Sequence, residues 1–115
     1  MIDYKDILVR HTIKVDNSIC YKRHLYTYRL EDSIHYQALL TNDYSNYERI
    51  ALEQPEHSLE IFLDLQDNFD LEKIEMIKLE WNDEFKKWIV LDGCHRLSIM
   101  KHRNIELKEE YLNKV

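Results

Sequence analysis

The sequence predicts a single α+β domain, because helical and strand patterns both occur within 115 residues and no linker divides them. The clearest helical pattern runs from Ser58 to about Asn68, where apolar residues recur at helical spacing behind a serine that suits the N-cap. Two strand-like runs follow, at 74–79 and 88–91, and the polar turn between them predicts a hairpin. The second run stops at Asp92-Gly93, and a further helix is expected to begin near Cys94.

Weaker patterns elsewhere predict a strand at 7–15, a second strand at 21–30, a short helix at 31–40, a loop at 42–46, a last strand at 105–107 and a frayed tail or short helix at 109–115. Asp32 or Ser33 suits the N-cap of the short helix. Trp81 and Trp88 flank the hairpin turn, and we expect their rings to pack across it.

The charge balance narrows the classes of function. Asp and Glu number 22 against 16 Lys and Arg, which gives a formal net charge of -6. Proteins that bind duplex DNA through its phosphates usually carry a basic face, so nucleic-acid binding is disfavoured, although a local basic patch remains at Lys101, His102 and Arg103. His11, His35 and His102 have no partner pattern and are expected at the surface.

The chain carries no sign of a secreted or membrane protein. Its start does not resemble a signal peptide, and no apolar run reaches the roughly 18 residues of a membrane helix. Cys20 and Cys94 are far apart and form no CxxC pair, so a structural zinc site has little support. We therefore expect a cytoplasmic protein with reduced thiols.

Gly93 is the only glycine of the chain, and it stands between a strand pattern and a helical pattern. Glycine permits a tight turn there and lets a ligand approach the backbone. The first N–H groups of a helix and the positive end of its dipole favour an anion. His95 and Arg96 add donors, and an arginine can bind two phosphate oxygens at once. The pattern predicts an anion site, with Asp92 beside it to hold a metal ion or orient a hydroxyl.

The segment Asp92-Gly93-Cys94-His95-Arg96-Leu97, after an apolar strand and before an apolar helix, resembles the D-G-x-H-R signature of ParB-like N-terminal domains. It is also similar to the G-G-C-H-R signature of sulfiredoxin, although Asp92 stands where sulfiredoxin has glycine. The order helix, strand, turn, strand, motif and helix agrees with this family over residues 56–105. Residues 1–55 do not map onto it, and we expect no counterpart of the ParB helix-turn-helix that binds DNA.

The resemblance implies a small ParB/sulfiredoxin-like fold, in which helices pack on a mixed sheet and nucleotide phosphates bind at the strand-turn-helix. It implies that Gly93, Cys94, His95 and Arg96 hold the phosphates. It also implies that the helix start at His57-Ser58 lies beside the nucleotide, although Ser58 could equally serve only as a cap.

In the free serine kinase branch of this family, the motif's Asp and His lie at the phosphates, which carries over to Asp92 and His95. That branch uses an upstream Glu as a base toward the substrate hydroxyl. Glu48, Glu53 and Glu56 are the candidates here, with Glu48 and Glu56 preferred.

The resulting expectation is a kinase that uses ATP or ADP to phosphorylate a hydroxyl of a small metabolite, with Mg²⁺ held at Asp92. One alternative is a module that binds a nucleotide without catalysis and docks to a partner. Another is a sulfinic acid reductase with Cys94 as its nucleophile, since a helix N-terminus can favour a thiolate. The plainest alternative is an ordinary strand-to-helix turn with Arg96 in solvent.

Overall fold

The computed structural model describes residues 2–14, 23–51 and 59–115. Within these ranges, the strands are β1 (Ile7–Lys14), β2 (Arg23–Arg29), β3 (Ile77–Asn82), β4 (Lys87–Asp92) and β5 (Leu112–Lys114). The helices in the same ranges are α1 (Ile34–Thr41), α2 (Ser45–Ala51), α3 (Leu59–Asp67) and α4 (Cys94–His102). The α+β class expected from the sequence is confirmed.

The five strands form one mixed sheet in the order β2-β1-β4-β3-β5. Two pairs are antiparallel, β1 with β2 and β3 with β4. Two pairs are parallel: β1 lies beside β4, with Leu8 opposite Ile89, and β3 lies beside β5, with Ile77 opposite Leu112. Because β4 is the central strand, its carboxyl end and the turn that follows lie midway along one end of the sheet.

The predicted hairpin joins β3 to β4. Asn82 Oδ1 accepts a hydrogen bond of 2.9 Å from the Phe85 backbone N–H inside the turn, and Lys86 takes the left-handed conformation with φ of 53°. Trp81 and Trp88 are register partners, and their ring centroids lie 5.3 Å apart in an edge-to-face arrangement. The expected contact between the two rings is therefore confirmed.

Helix α4 lies between two groups of buried apolar side chains. Its Leu97 and Met100 pack with the sheet residues Ile77 and Leu79, while its Ile99 belongs to a second cluster formed with the other helices. Four consecutive residues, Leu97 to Met100, are buried, and together they cover a full turn of the helix. The helix is therefore held from both directions, which fixes the position of its first turn.

Helix α1 begins and ends at residues suited to those places. The Ser33 side chain accepts a hydrogen bond of 3.1 Å from the Tyr36 N–H, so Ser33, one of the two expected residues, is the N-cap. Asn42 follows the helix with φ of 55°, a left-handed conformation that asparagine tolerates. The predicted loop at 42–46 is shorter than expected, because α2 already begins at Ser45.

The chain after α4 differs from the prediction. Ile105 and Leu107 do not form a strand: Leu107 is buried, and the Ile105 carbonyl accepts a hydrogen bond of 2.5 Å from the Tyr4 hydroxyl. The last strand is β5, in the segment expected to be a tail. Buried Leu112 pairs with β3, and the Val115 N–H donates to the Leu79 carbonyl at 2.8 Å. Long-range pairing therefore orders the tail.

Candidate phosphate-binding site

The site begins with the turn at Gly93, between the end of β4 and the start of α4. Gly93 has φ of 108° and ψ of 20°, a region that other residues rarely adopt. A Cβ atom on this residue would lie 3.0 Å from Ile77 Cγ1 and 3.2 Å from Arg96 Nη2. Both the backbone conformation and the close neighbours therefore require glycine, as the sequence predicted.

Glycine at the N-cap gives the start of α4 an unusual cap. Gly93 is the N-cap, its carbonyl accepts the Leu97 N–H at 2.8 Å, and it has no side chain to bond the first helical N–H groups. In any α-helix these first N–H groups lack an acceptor within the helix, and the helix dipole adds positive potential there. This end of α4 therefore favours a negatively charged group.

Arg96 connects three parts of the site. Its Nη1 donates to the Glu75 carbonyl at 2.6 Å and lies 3.4 Å from the Met76 carbonyl. Its Nη2 lies 3.3 Å from Asp92 Oδ2, and its side chain is only 13% exposed. The alternative in which Arg96 extends into solvent is wrong. Arg96 instead ties the segment before β3 to the first turn of α4.

His95 stands in a cluster of rings. Its Nε2 lies 2.9 Å from the hydroxyl of Tyr47, a fully buried residue of α2. The His95 ring is nearly perpendicular to those of Phe62 and His35, with centroid distances of 4.9 and 4.2 Å. These contacts define the orientation of the imidazole.

Cys94 turns its thiol toward the interior. Its Sγ lies 3.4 Å from Nδ1 of His35, a residue that is 0% exposed. Burial raises the pKa of the Cys94 thiol to about 12, although the nearby Ser98 hydroxyl acts in the opposite direction. The thiol is therefore protonated at neutral pH, despite its place at a helix N-terminus.

An open cleft of about 490 Å³ lies between α3 and the Gly93 turn. This volume is within the usual range of small-molecule sites. One part of its wall is apolar and consists of Ile61, Phe62, Leu65, Phe69 and Ile74. The polar part consists of Asn68, Asp70, Lys73, Glu75, Asp92, Gly93, His95 and Arg96.

The structure brings together most of the motif residues that the sequence singled out. Asp92, Gly93, His95 and Arg96 line the cleft, whereas Cys94 lies behind its wall. Glu48, one of the preferred bases, is exposed on α2 and is not among the lining residues. The other candidates, Glu53, Glu56, His57 and Ser58, lie outside the described residues, as does Cys20.

The basic patch proposed at 101–103 is partly engaged in packing. Lys101 Nζ lies 5.6 and 5.2 Å from the ring centroids of Tyr4 and Tyr36. Arg103 Nη2 donates to the Gln66 carbonyl at 2.5 Å, and its guanidinium lies over the Phe69 ring. These two cations therefore hold neighbouring elements against α4.

Sequence reasoning missed several residues of the site, among them His35, Tyr47 and Lys73. His35 was expected at the surface, and that expectation is wrong, because α1 packs against α4 and buries it. Tyr47 and Lys73 were not singled out either, since each reaches the site only through the packing of its segment. No local pattern marks any of the three.

Comparisons of the chain with protein-family models, with curated proteins and with solved structures gave no match. The resemblance to ParB-like and sulfiredoxin domains therefore rests on the motif residues and on the order of the elements around them. Within the part of the chain that the structure describes, no helix is long and apolar enough to cross a membrane.

Proposed function

We propose that this protein binds a nucleotide in the cleft between α3 and the Gly93 turn, with the phosphates at the first turn of α4. The observation that carries the proposal is that this helix start, whose N-cap is a glycine, opens into a cleft of about 490 Å³ lined by His95 and Arg96. A helix N-terminus, a guanidinium and an imidazole are the usual groups that bind phosphate. The apolar wall gives a nucleobase a surface to pack against.

The charges around the cleft support a ligand that arrives with a metal ion. Lys73 and Arg96 are offset by Asp70, Glu75 and Asp92, so the polar wall as a whole is not basic. No group of three or more potential metal ligands occurs among the described residues. Magnesium is commonly bound by one or two carboxylates together with substrate phosphates. Asp92, whose side chain is 58% exposed, suits the role of such a carboxylate ligand.

Phosphoryl transfer to a hydroxyl of a small metabolite, with ATP or ADP as donor, is the reaction that the motif resemblance favours for this cleft. Arg96, Lys73 and the start of α4 would stabilise the transferring group electrostatically. Asp92 would hold the magnesium ion or orient the hydroxyl. Glu75 also lines the cleft, which makes it a candidate base that the sequence did not suggest.

The sulfinic acid reductase alternative has less support. That chemistry requires a nucleophilic thiolate at the ligand, whereas the Cys94 thiol lies beside buried His35 and its pKa is raised to about 12. Cys94→Ser therefore separates the two functions, because it would abolish a reductase and leave nucleotide binding nearly unchanged. Nucleotide binding without turnover would favour the non-catalytic module.

The experiment that tests nucleotide binding is a thermal-shift titration with ATP, ADP, AMP, CTP and GTP, each with and without magnesium. A ligand at 100 times its dissociation constant stabilises the folded protein by about 2.7 kcal/mol, which raises the melting temperature of a domain this size by several degrees. We expect such a shift for at least one nucleotide with the wild type, and a much smaller one with His95→Ala.

The matched control is His102→Ala, which removes an exposed histidine from the opposite end of the same helix. This variant should respond to nucleotide as the wild type does. Absence of a shift with every nucleotide would refute the proposed function. An equal loss of response in both histidine variants would show that His95 has no specific part in binding.

A further inference from the structure

Tyr47 is a buried hydrogen-bond partner of the His95 imidazole. It is fully buried, and its hydroxyl lies 2.9 Å from His95 Nε2. His95 lines the cleft, whereas Tyr47 does not. Tyr47 also packs on Phe62, with ring centroids 5.0 Å apart, and Phe62 in turn lies against the His95 ring. The tyrosine therefore acts on a ligand through the two cleft residues that it contacts, His95 and Phe62, and its only hydrogen bond among the described residues is to His95.

The direction of this hydrogen bond follows from the buried phenol proton, which needs an acceptor. Burial raises the pKa of Tyr47 further above its ordinary value of 10.0, so its hydroxyl keeps its proton at neutral pH. Within the described ranges, His95 Nε2 is the only hydrogen-bond partner of that hydroxyl. A buried tyrosine hydroxyl normally finds an acceptor for its proton, and Nε2 of a neutral imidazole is one.

We infer that Tyr47 is a positioning residue for His95: it donates to Nε2 and thereby holds the neutral imidazole in the tautomer that carries its proton on Nδ1. That tautomer presents an N–H donor on the other side of the ring, which suits a phosphate oxygen. The opposite tautomer would present a lone pair there and would repel an anion. This inference rests on the proposed function, since it assigns His95 a part in binding the ligand phosphates.

The test compares wild type, Tyr47→Phe and Tyr44→Phe by nuclear magnetic resonance of ¹⁵N-labelled histidine in nucleotide-free protein at about pH 8. The His95 signals are assigned by their absence from His95→Ala. We expect Nδ1–H and unprotonated Nε2 in the wild type, and a shift toward the Nε2–H tautomer in Tyr47→Phe. Tyr44→Phe is the matched control, because the Tyr44 hydroxyl contacts Gln66 and its ring packs on the same Phe62.

Affinity for ATP and ADP with magnesium provides the second measurement. Loss of one hydrogen bond corresponds to a roughly three- to tenfold lower affinity. We expect this decrease in nucleotide affinity for Tyr47→Phe and not for Tyr44→Phe. An Nε2–H tautomer in the wild type overturns the inference, and the wild-type spectrum decides this even where a variant does not fold. Identical His95 signals in wild type and Tyr47→Phe overturn it too.

The two proposals fail in different ways. If the His95 signals change as expected but the wild type binds no nucleotide, the proposed function is refuted, and the assignment of Tyr47 as the residue that orients His95 is supported. If nucleotides bind but the His95 signals do not respond to Tyr47→Phe, the proposed function is supported and the role of Tyr47 is refuted.

Discussion

Gly93 is constrained both by its backbone conformation and by its close neighbours. Each constraint predicts that a side chain at this position would lower the stability of the fold. Gly93→Ala would force a Cβ into a left-handed backbone and place it 3.0 Å from Ile77 Cγ1. Strain of this kind costs about 1–3 kcal/mol. We expect the free energy of unfolding, measured with urea, to fall by about 2 kcal/mol.

The control for this substitution is Asn104→Gly, at another left-handed position, where φ is 56°. It removes a Cβ instead of adding one, and should change the free energy of unfolding by less than about 1 kcal/mol. If both variants lost the same free energy of unfolding, neither the backbone conformation nor the close neighbours of Gly93 would require glycine.

Residues of the site differ in how far the sequence could predict them. Gly93 could be predicted because its surroundings are local: a strand ends before it and a helix begins after it. Tyr47 and His35 could not, because their roles arise from contacts with α4 across 48 and 59 residues of chain. A histidine on a short helix has the same local pattern whether it faces solvent or the core.

Helix α1 holds His35 beside Cys94, so the stability of its first turn affects the back of the site. Ser33 caps this turn through its hydroxyl and is fully buried. Removal of a serine N-cap costs about 0.5–2 kcal/mol. Ser33→Ala should therefore lower the free energy of unfolding by about 1 kcal/mol or more, as measured with urea.

Ser45→Ala provides the comparison, because Ser45 is an exposed residue at the start of α2 whose hydroxyl bonds the exposed Asp43 carboxylate and not a helical N–H. An exposed substitution of this kind is expected to change stability by less than about 0.5 kcal/mol. A smaller loss for Ser33→Ala than for Ser45→Ala would contradict the role assigned to the cap.

At the scale of elements, the sequence predicted those whose stability is local. The β3–β4 hairpin and helix α4 follow from alternation, turn residues and helical spacing. Strand β4 and helix α4 are where the sequence placed them, whereas β3 (Ile77–Asn82) begins three residues later than the predicted run at 74–79. β5 was missed because three residues carry too little pattern and are ordered by pairing with β3. Ile105 and Leu107 carried the alternation of a strand, but Leu107 is buried without any strand pairing.

At the scale of the whole molecule, the order of the strands determines where the site lies. The parallel pairing of β1 with β4 joins residues about 80 positions apart, as at Leu8 and Ile89. No local pattern encodes that pairing, so the mixed sheet could be expected only from the motif resemblance. The pairing matters for function because it fixes β4 centrally and leaves its carboxyl end open to the cleft.

The folded molecule also buries several weak acids in their neutral forms. Burial raises the pKa of Cys94 from its ordinary value of 9.0 to about 12, and that of Tyr4 from 10.0 to about 12. Burial raises the pKa of Tyr47 as well. Between about pH 9 and pH 12 the folded chain therefore binds more protons at these groups than the unfolded chain does. The free energy of unfolding then falls as the pH rises.

We therefore expect urea unfolding to show constant contributions from these groups up to about pH 8.5 and a progressive loss of stability toward pH 10. Cys94→Ala removes the group whose ordinary pKa is lowest. Between about pH 9 and pH 10 this variant should therefore lose less stability than the wild type. Stability that is equally pH-dependent in Cys94→Ala and wild type would mean that the thiol ionises as readily in the folded state as in the unfolded chain. A thiol that accessible would return Cys94 to consideration as a nucleophile.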